Sequence, residues 1–180
     1  KNKVLKNEII NKALSSVLPN IIYIATLTPR KCHLELLEAL SNTKNLLNVN
    51  LVGYPTNRKI RELIESKKTI DGKKIRSNIN YFPQLSQKDL CTLLLFSSAY
   101  VSTSKNEGFG IPVLEASLYN IPLIIRDIDI NRELFSNSKF FKSTSKLSKL
   151  LDEIKPLSKA KIKKRKEYLL KISEENLSEM

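Results

Sequence analysis

At 180 residues the chain is long enough for one domain with a buried core and too short for two Rossmann-like halves. Hydrophobic content of 41% is that of a globular protein, no apolar run approaches the roughly 18 residues of a membrane-spanning helix, and two cysteines exclude a disulfide framework. The 31 Lys and Arg against 18 Asp and Glu give +13, a balance that fits a solvated lysine-rich surface, an anionic membrane face or nucleic acid without choosing among them.

The chain opens on Lys1 without a secretion-signal pattern, so a fragment or processed chain in a reducing cytosol is expected. Residues 1–20 read as a lead-in with one short helix, ending at Pro19-Asn20. Ile21 to Leu27 is a continuous apolar, β-branched run, as in a strand buried on both faces of a parallel sheet. Thr28 to Lys31 turns the chain, and His33 to Asn42 places Leu34, Leu37 and Leu40 at helical spacing. Val49 to Val52 is strand-like and stops at Gly53; Asn57 to Lys67 is a charged helix; Ile79 to Phe82 is a short strand. Ser86 is placed to cap the helix through Leu90 and Leu95. Ala99 to Ser102 is the next strand, broken by Gly108-Phe109-Gly110 and followed by a helix. Pro122 to Ile125, a short helix at Asn131 to Phe135 and a small strand at Lys139 to Phe141 complete the alternation.

Strand and helix alternate about six times, the pattern of a doubly wound, Rossmann-like parallel α/β sheet of about six strands. From Ser143 the chain is helical and basic, divided at Pro156, with Lys161, Lys163, Lys164, Arg165 and Lys166 in one run. The domain reading is therefore a lead-in over 1–20, a ligand-binding domain over 21–155 and a basic C-terminal helix over 156–180.

Right-handed crossovers gather the strand C-termini on one edge, so Thr28–Lys31, the loop after Gly53, Phe82-Pro83 and Ser104–Gly110 meet at one crevice. A strand feeding a glycine turn that opens a helix collects backbone N–H groups where an anion can dock. Glu107 and Glu115 flank that spot; a carboxylate repels phosphate but accepts from vicinal sugar hydroxyls. The stretch thus suits a ligand that is both phosphorylated and sugar-like, while Arg30 and Lys31 by themselves read as surface cations of a lysine-rich chain. Asp127-Ile128-Asp129 invites a metal reading, which its polar neighbours do not support, so no metal and no cofactor is expected. His33, the single histidine, reads as a cap or surface residue.

Glu107-Gly-Phe-Gly-Ile-Pro-Val-Leu-Glu115 resembles the Glu-x7-Glu signature of retaining glycosyltransferases of family 4, which have the GT-B fold. Thr103-Ser104, Ile121 to Ile124 and Arg132-Glu133 extend the likeness, while Ser117, Asn120 and Arg126 depart from the usual pattern. The resemblance implies the C-terminal, nucleotide-sugar-binding half of such an enzyme, lacking its N-terminal domain. It implies catalytic positions for Glu107 beside the donor sugar and for Lys31 and Arg30 on the diphosphate. Glu115 would bind the ribose hydroxyls, and Gly108, Phe109, Gly110, Ile111 and Ser104 would line the donor. Phe82, at a strand end on the proposed edge, suits packing on the nucleobase and packing in the core equally. The reaction implied is metal-free, retaining transfer to a glycan or lipid-linked acceptor hydroxyl at the inner face of the cell membrane. The Pro29-Arg30-Lys31 form is similar to bacterial mannosyl- and rhamnosyltransferases of surface polysaccharide and lipopolysaccharide synthesis, so GDP-mannose is the first donor to test. Little transfer is expected from this part alone. The alternatives are another GT-B enzyme, such as a nucleotide-sugar epimerase, or a basic nucleic-acid module. Nucleic acid is disfavoured because the few aromatics, 7% of residues, fall mostly in predicted strands.

Overall fold

The computed structural model describes residues 17–66 and 72–178. The short helix expected within residues 1–20 and the helix end expected at Lys67 lie outside the described residues. Six strands, β1 (Asn20–Ile24), β2 (Asn48–Val52), β3 (Asn78–Phe82), β4 (Ala99–Ser102), β5 (Leu123–Arg126) and β6 (Lys139–Phe141), form one sheet. The helices between them are α1 (His33–Ser41), α2 (Arg58–Ser66), α3 (Gln87–Leu95), α4 (Ile111–Leu118) and α5 (Asp129–Leu134). After β6 come α6 (Thr144–Asp152) and α7 (Lys159–Ser178). All pairings are parallel, in the order β3-β2-β1-β4-β5-β6. The expected doubly wound sheet is therefore present.

The strand order reverses between β1 and β4. Loops leaving these neighbours diverge to opposite faces, because right-handed crossovers send α1 one way and α4 the other. The gap they leave above the strand C-termini is where ligands bind in open α/β sheets.

Ile21, Ile22, Tyr23, Tyr100, Val101, Ile124 and Ile125 are all buried, so the central strands show no polar alternation. Fully burying each large aliphatic side chain is worth about 1.5–3 kcal/mol, which is what holds the sheet between its helix layers. β1 is shorter than its apolar run. After Ile24 the chain follows the exit of β2 instead, with the Ala25 N–H donating to the Val52 carbonyl at 2.8 Å and the Leu27 N–H to that of Tyr54 at 3.0 Å. That crossing explains Gly53: a Cβ there would overlap the Ala25 carbonyl oxygen.

Asparagines occupy strand positions that usually take β-branched residues. Asn20, Asn48 and Asn78 stand in register, as do Asn50 and Asn80. The Asn78 amide donates to the Asn48 side-chain oxygen at 3.0 Å, and Asn80 to Asn50 at 3.1 Å. A one-residue slip would break these pairs, so the amides help set the register of β2 and β3.

α1 packs with a different face than its leucine spacing suggests. His33, Leu36, Leu37, Ala39 and Leu40 are buried, whereas Leu34 is 41% exposed. Ser86 caps α3 as expected, its hydroxyl accepting from the Asp89 N–H at 3.1 Å.

Candidate functional site

The loop leaving β1 forms a short 3-10 turn at Pro29–Lys31, then bends through Cys32, whose φ of 51° and ψ of 40° are left-handed. Buried hydroxyls fix this turn from below. The Tyr23 hydroxyl donates to the Lys31 carbonyl at 2.6 Å, and the Thr103 hydroxyl lies 2.9 Å from the carbonyls of both Lys31 and Cys32. The Lys105 N–H donates to the Arg30 carbonyl at 3.0 Å. The β1 loop and the β4 loop are thereby joined along their backbones.

Across that join the Lys31 ammonium donates to Glu107 Oε1 at 2.6 Å, with both side chains 13% exposed. A pair this sheltered is screened less than a surface pair. An ammonium has three N–H donors, and Glu107 uses one. Arg30 is exposed beside it.

Residues 103–110 carry the chain from β4 into α4. Ser104 is buried and its hydroxyl donates to the Asn106 carbonyl at 2.9 Å, so it shapes this loop from within. Gly110 stands before the first turn of α4 with φ 60° and ψ 50°, a conformation that costs other residues about 1–2 kcal/mol. Its carbonyl accepts from the N–H groups of Val113 and Leu114 at 2.8 and 3.0 Å, starting the helix at the crevice. Gly108 is exposed, Phe109 is 73% exposed and Ile111 is also exposed.

Glu115 is half-buried one turn into α4. Tyr100, a buried residue of β4, donates its hydroxyl to the Ile24 carbonyl at 3.3 Å. Burial pushes that phenol well above its ordinary range, and the negative charges of Glu107 and Glu115 push the same way. Burial also raises the Tyr23 phenol, so both tyrosines stay protonated and remain donors.

Of the two roles open to Phe82 the structure shows the core, and His33 sits differently from expectation. Phe82 is only 2% exposed and belongs to the hydrophobic core at the end of edge strand β3, separated from β1 by β2. Its ring packs inward rather than facing the crevice. His33, expected as a cap or surface residue, is 1% exposed and stacks on Tyr23 with ring centroids 4.7 Å apart. Burial lowers its pKa from 6.5 to about 4, the Lys31 charge adds to this and the nearby Ala25 backbone opposes it. Among the described residues neither of its ring nitrogens has a hydrogen-bond partner.

Asp127 is engaged by Arg132, with Lys142 at 3.7 Å, and these cations hold its carboxyl below the usual range, the Arg132 hydrogen bond foremost. Among the described residues no group of three or more His, Cys, Asp or Glu is arranged to hold a metal ion. A pairing that the sequence reading missed joins Arg126, at the end of β5, to Glu35 in the first turn of α1. The available signal was a charge closing an apolar strand, Leu123-Ile124-Ile125-Arg126.

Cavities of about 450 and 350 Å³ occur at the other edge of the sheet, the first lined by Leu95, Asn120 and Arg165 and another by Ser98 and Pro122.

Comparison with known proteins follows the same lines. The family described as Glycosyl transferases group 1 matches residues 6–174. The serotype-specific mannosyltransferase WbdA of Escherichia coli is 25% identical over 150 residues, 78% of this chain and 18% of WbdA. The O-antigen chain mannosyltransferase RfbU of Salmonella typhimurium is 33% identical over 69 residues, 37% of this chain and 19% of RfbU. Among solved structures, Anabaena HepE in complex with UDP and glucose superposes with a TM-score of 0.66 at 15% identity, over 82% of this chain and 41% of HepE. The chain thus spans less than a fifth of these curated relatives and about two fifths of that structural neighbour.

Proposed function

This chain belongs to the Glycosyl transferases group 1 family, and we propose that it is the nucleotide-sugar-binding half of a retaining GT-B hexosyltransferase. The observation that carries this reading is the Lys31–Glu107 pair, 2.6 Å long, at the point where the strand order reverses. A diphosphate bound above the β1–β4 boundary meets the unused donors of Lys31, the exposed Arg30 and the first turn of α4. Its sugar lies toward Glu107 and its ribose toward Glu115. Phe109 and Ile111, both exposed, lie on either side of Gly110 in the chain at the start of α4.

In the reaction the bond between anomeric carbon and diphosphate oxygen breaks, with its electron pair leaving on the diphosphate. The acceptor hydroxyl oxygen bonds to the same face of the sugar and its proton passes to the departing phosphate. The cations stabilise charge that grows only as the bond breaks, which is how such contacts accelerate a reaction. No metal is invoked. The other half of the enzyme supplies the acceptor, a glycan or lipid-linked glycan. The likeness to WbdA and RfbU favours GDP-mannose and bacterial O-antigen assembly, while the UDP in HepE keeps UDP-sugars in the comparison. A +13 surface suits the anionic cytoplasmic face of a membrane.

Calorimetry with UDP, GDP, ADP and dTDP tests this. One nucleotide, GDP first, is expected to bind, and Lys31→Ala and Glu115→Ala each weaken it about tenfold or more, the loss of a charge-assisted hydrogen bond. Binding that neither substitution changes would show that the site lies elsewhere.

A further inference from the structure

We propose that Arg126 and Glu35 are positioning residues for this donor site, a sheltered ion pair that fixes the two loops from which Lys31 and Glu107 reach each other. The inference rests on the donor-site reading above.

Arg126 closes β5, next to β4, and is 8% exposed. Its Nε donates to the Thr103 carbonyl at 2.9 Å, and its Nη2 to Glu35 Oε2. The guanidinium lies over the Phe141 ring, 5.2 Å from the centroid, and the Asn131 amide donates to the Arg126 carbonyl at 2.9 Å. The Glu35 N–H in turn donates to the Cys32 carbonyl at 3.0 Å, and the Thr103 hydroxyl lies 2.9 Å from that same oxygen. These contacts close a ring: Arg126 to Thr103, Thr103 to Cys32, Cys32 to Glu35, Glu35 back to Arg126. Lys31 is one residue before Cys32, and Glu107 four residues beyond Thr103.

The ring argues for placement more than for stability. A buried ion pair is often replaceable by apolar side chains at little cost or with a gain, and three apolar residues already precede Arg126 in β5. What an apolar residue cannot do is address a carbonyl and a carboxylate at once in a fixed plane. The guanidinium fork does so, and lysine, a single point donor, does it poorly. Arg126 therefore sets where β4 ends, Glu35 sets where α1 begins relative to it, and the separation of Lys31 from Glu107 follows.

The test compares Arg126→Met, Arg126→Lys and Glu35→Gln with the unmutated chain by amide hydrogen exchange, denaturant unfolding and calorimetry with the nucleoside diphosphate that binds. In Arg126→Met, exchange at residues 103–107 and 32–35 should rise about tenfold while α6 is unchanged, since a local opening has been made easier. Its nucleotide dissociation constant should rise about tenfold, with Arg126→Lys between. Adding Lys31→Ala to Arg126→Met should cost less than Lys31→Ala alone, because the lysine is already misplaced. Unchanged loop exchange in Arg126→Met overturns the proposal. So does faster exchange spread evenly over the chain in step with lost stability, which is the mark of a purely structural pair. If the unmutated chain binds no nucleoside diphosphate, the donor-site reading fails by itself, since the exchange comparison decides the strut without ligand.

Discussion

A histidine closed off from water is hard to protonate, and His33 is placed so that the consequence can be measured. Its pKa in the fold is about 4 and its ordinary value 6.5, so as pH falls the unfolded chain takes up the proton first. The contribution of the neutral imidazole to stability is whole above about pH 6.5 and drains away down to about pH 4. At about 1.4 kcal/mol per unit, the loss across that window is roughly 3 kcal/mol. Carboxylates titrate in the same range, so the comparison must be with His33→Phe, which keeps a ring against Tyr23. Between pH 7 and pH 4 the unmutated chain should lose roughly 3 kcal/mol more unfolding free energy than His33→Phe. Equal losses would show that His33 is not held neutral. The helix start at His33 was legible in the sequence and the burial was not. Leucines at 34, 37 and 40 and the set 33, 36, 37 and 40 are both helical stripes. Hydrophobicity favours the first, while contact with the sheet selects the second and leaves Leu34 outside.

Among the elements, strands were legible where they are apolar and obscure where they are amide-paired. β4 and β6 match their predicted bounds, marked by Tyr100 and Val101 in one and by Phe140 and Phe141 in the other. β2 and β3 each begin one asparagine earlier than expected, because a side-chain amide that finds a cross-strand partner overrides its poor strand propensity. The basic C-terminal helix was legible as charge but not as a packed element. Arg165 turns inward from α7 and donates from Nη1 to the carbonyls of Leu95 and Ser97, the latter at 3.0 Å, at the end of α3. Burial lowers its pKa below the usual arginine range without threatening its charge. Arg165→Met leaves two carbonyls with a lost cationic donor and should cost about 2 kcal/mol, with exchange of the 161–168 amides rising before that of β4. Lys164→Met, one position away and exposed, should change stability by less than about 0.5 kcal/mol. Similar effects of the two would mean that α7 is held by its general charge rather than by Arg165.

At the scale of the molecule, strand and helix alternation was enough to anticipate a crevice, but not the strand order that makes it specific. Lys31 and Glu107 are 76 residues apart, and only the adjacency of β1 and β4 brings them together. Arg126 and Glu35, 91 residues apart, meet for the same reason; the charge that closes the apolar β5 marks Arg126 in the sequence, but nothing local names its partner. The net charge of +13 acts over the same scale. Exposed pairs such as Arg58–Glu62, Arg61–Glu65 and Lys139–Glu153 contribute little each, and added salt weakens them. The unpaired excess of cations repels itself, and salt weakens that too. With 31 cations against 18 anions the repulsion should prevail. Raising NaCl from about 20 to about 300 mM, which shortens the screening length from roughly 20 Å to roughly 6 Å, should therefore raise the denaturant midpoint of the chain. Nucleoside diphosphate binding should respond in the opposite sense, because the ligand is an anion drawn to Lys31 and Arg30 by the field that salt removes. A midpoint that falls with salt would mean that the ion pairs outweigh the excess charge. Binding that is indifferent to salt would place the diphosphate away from these cations.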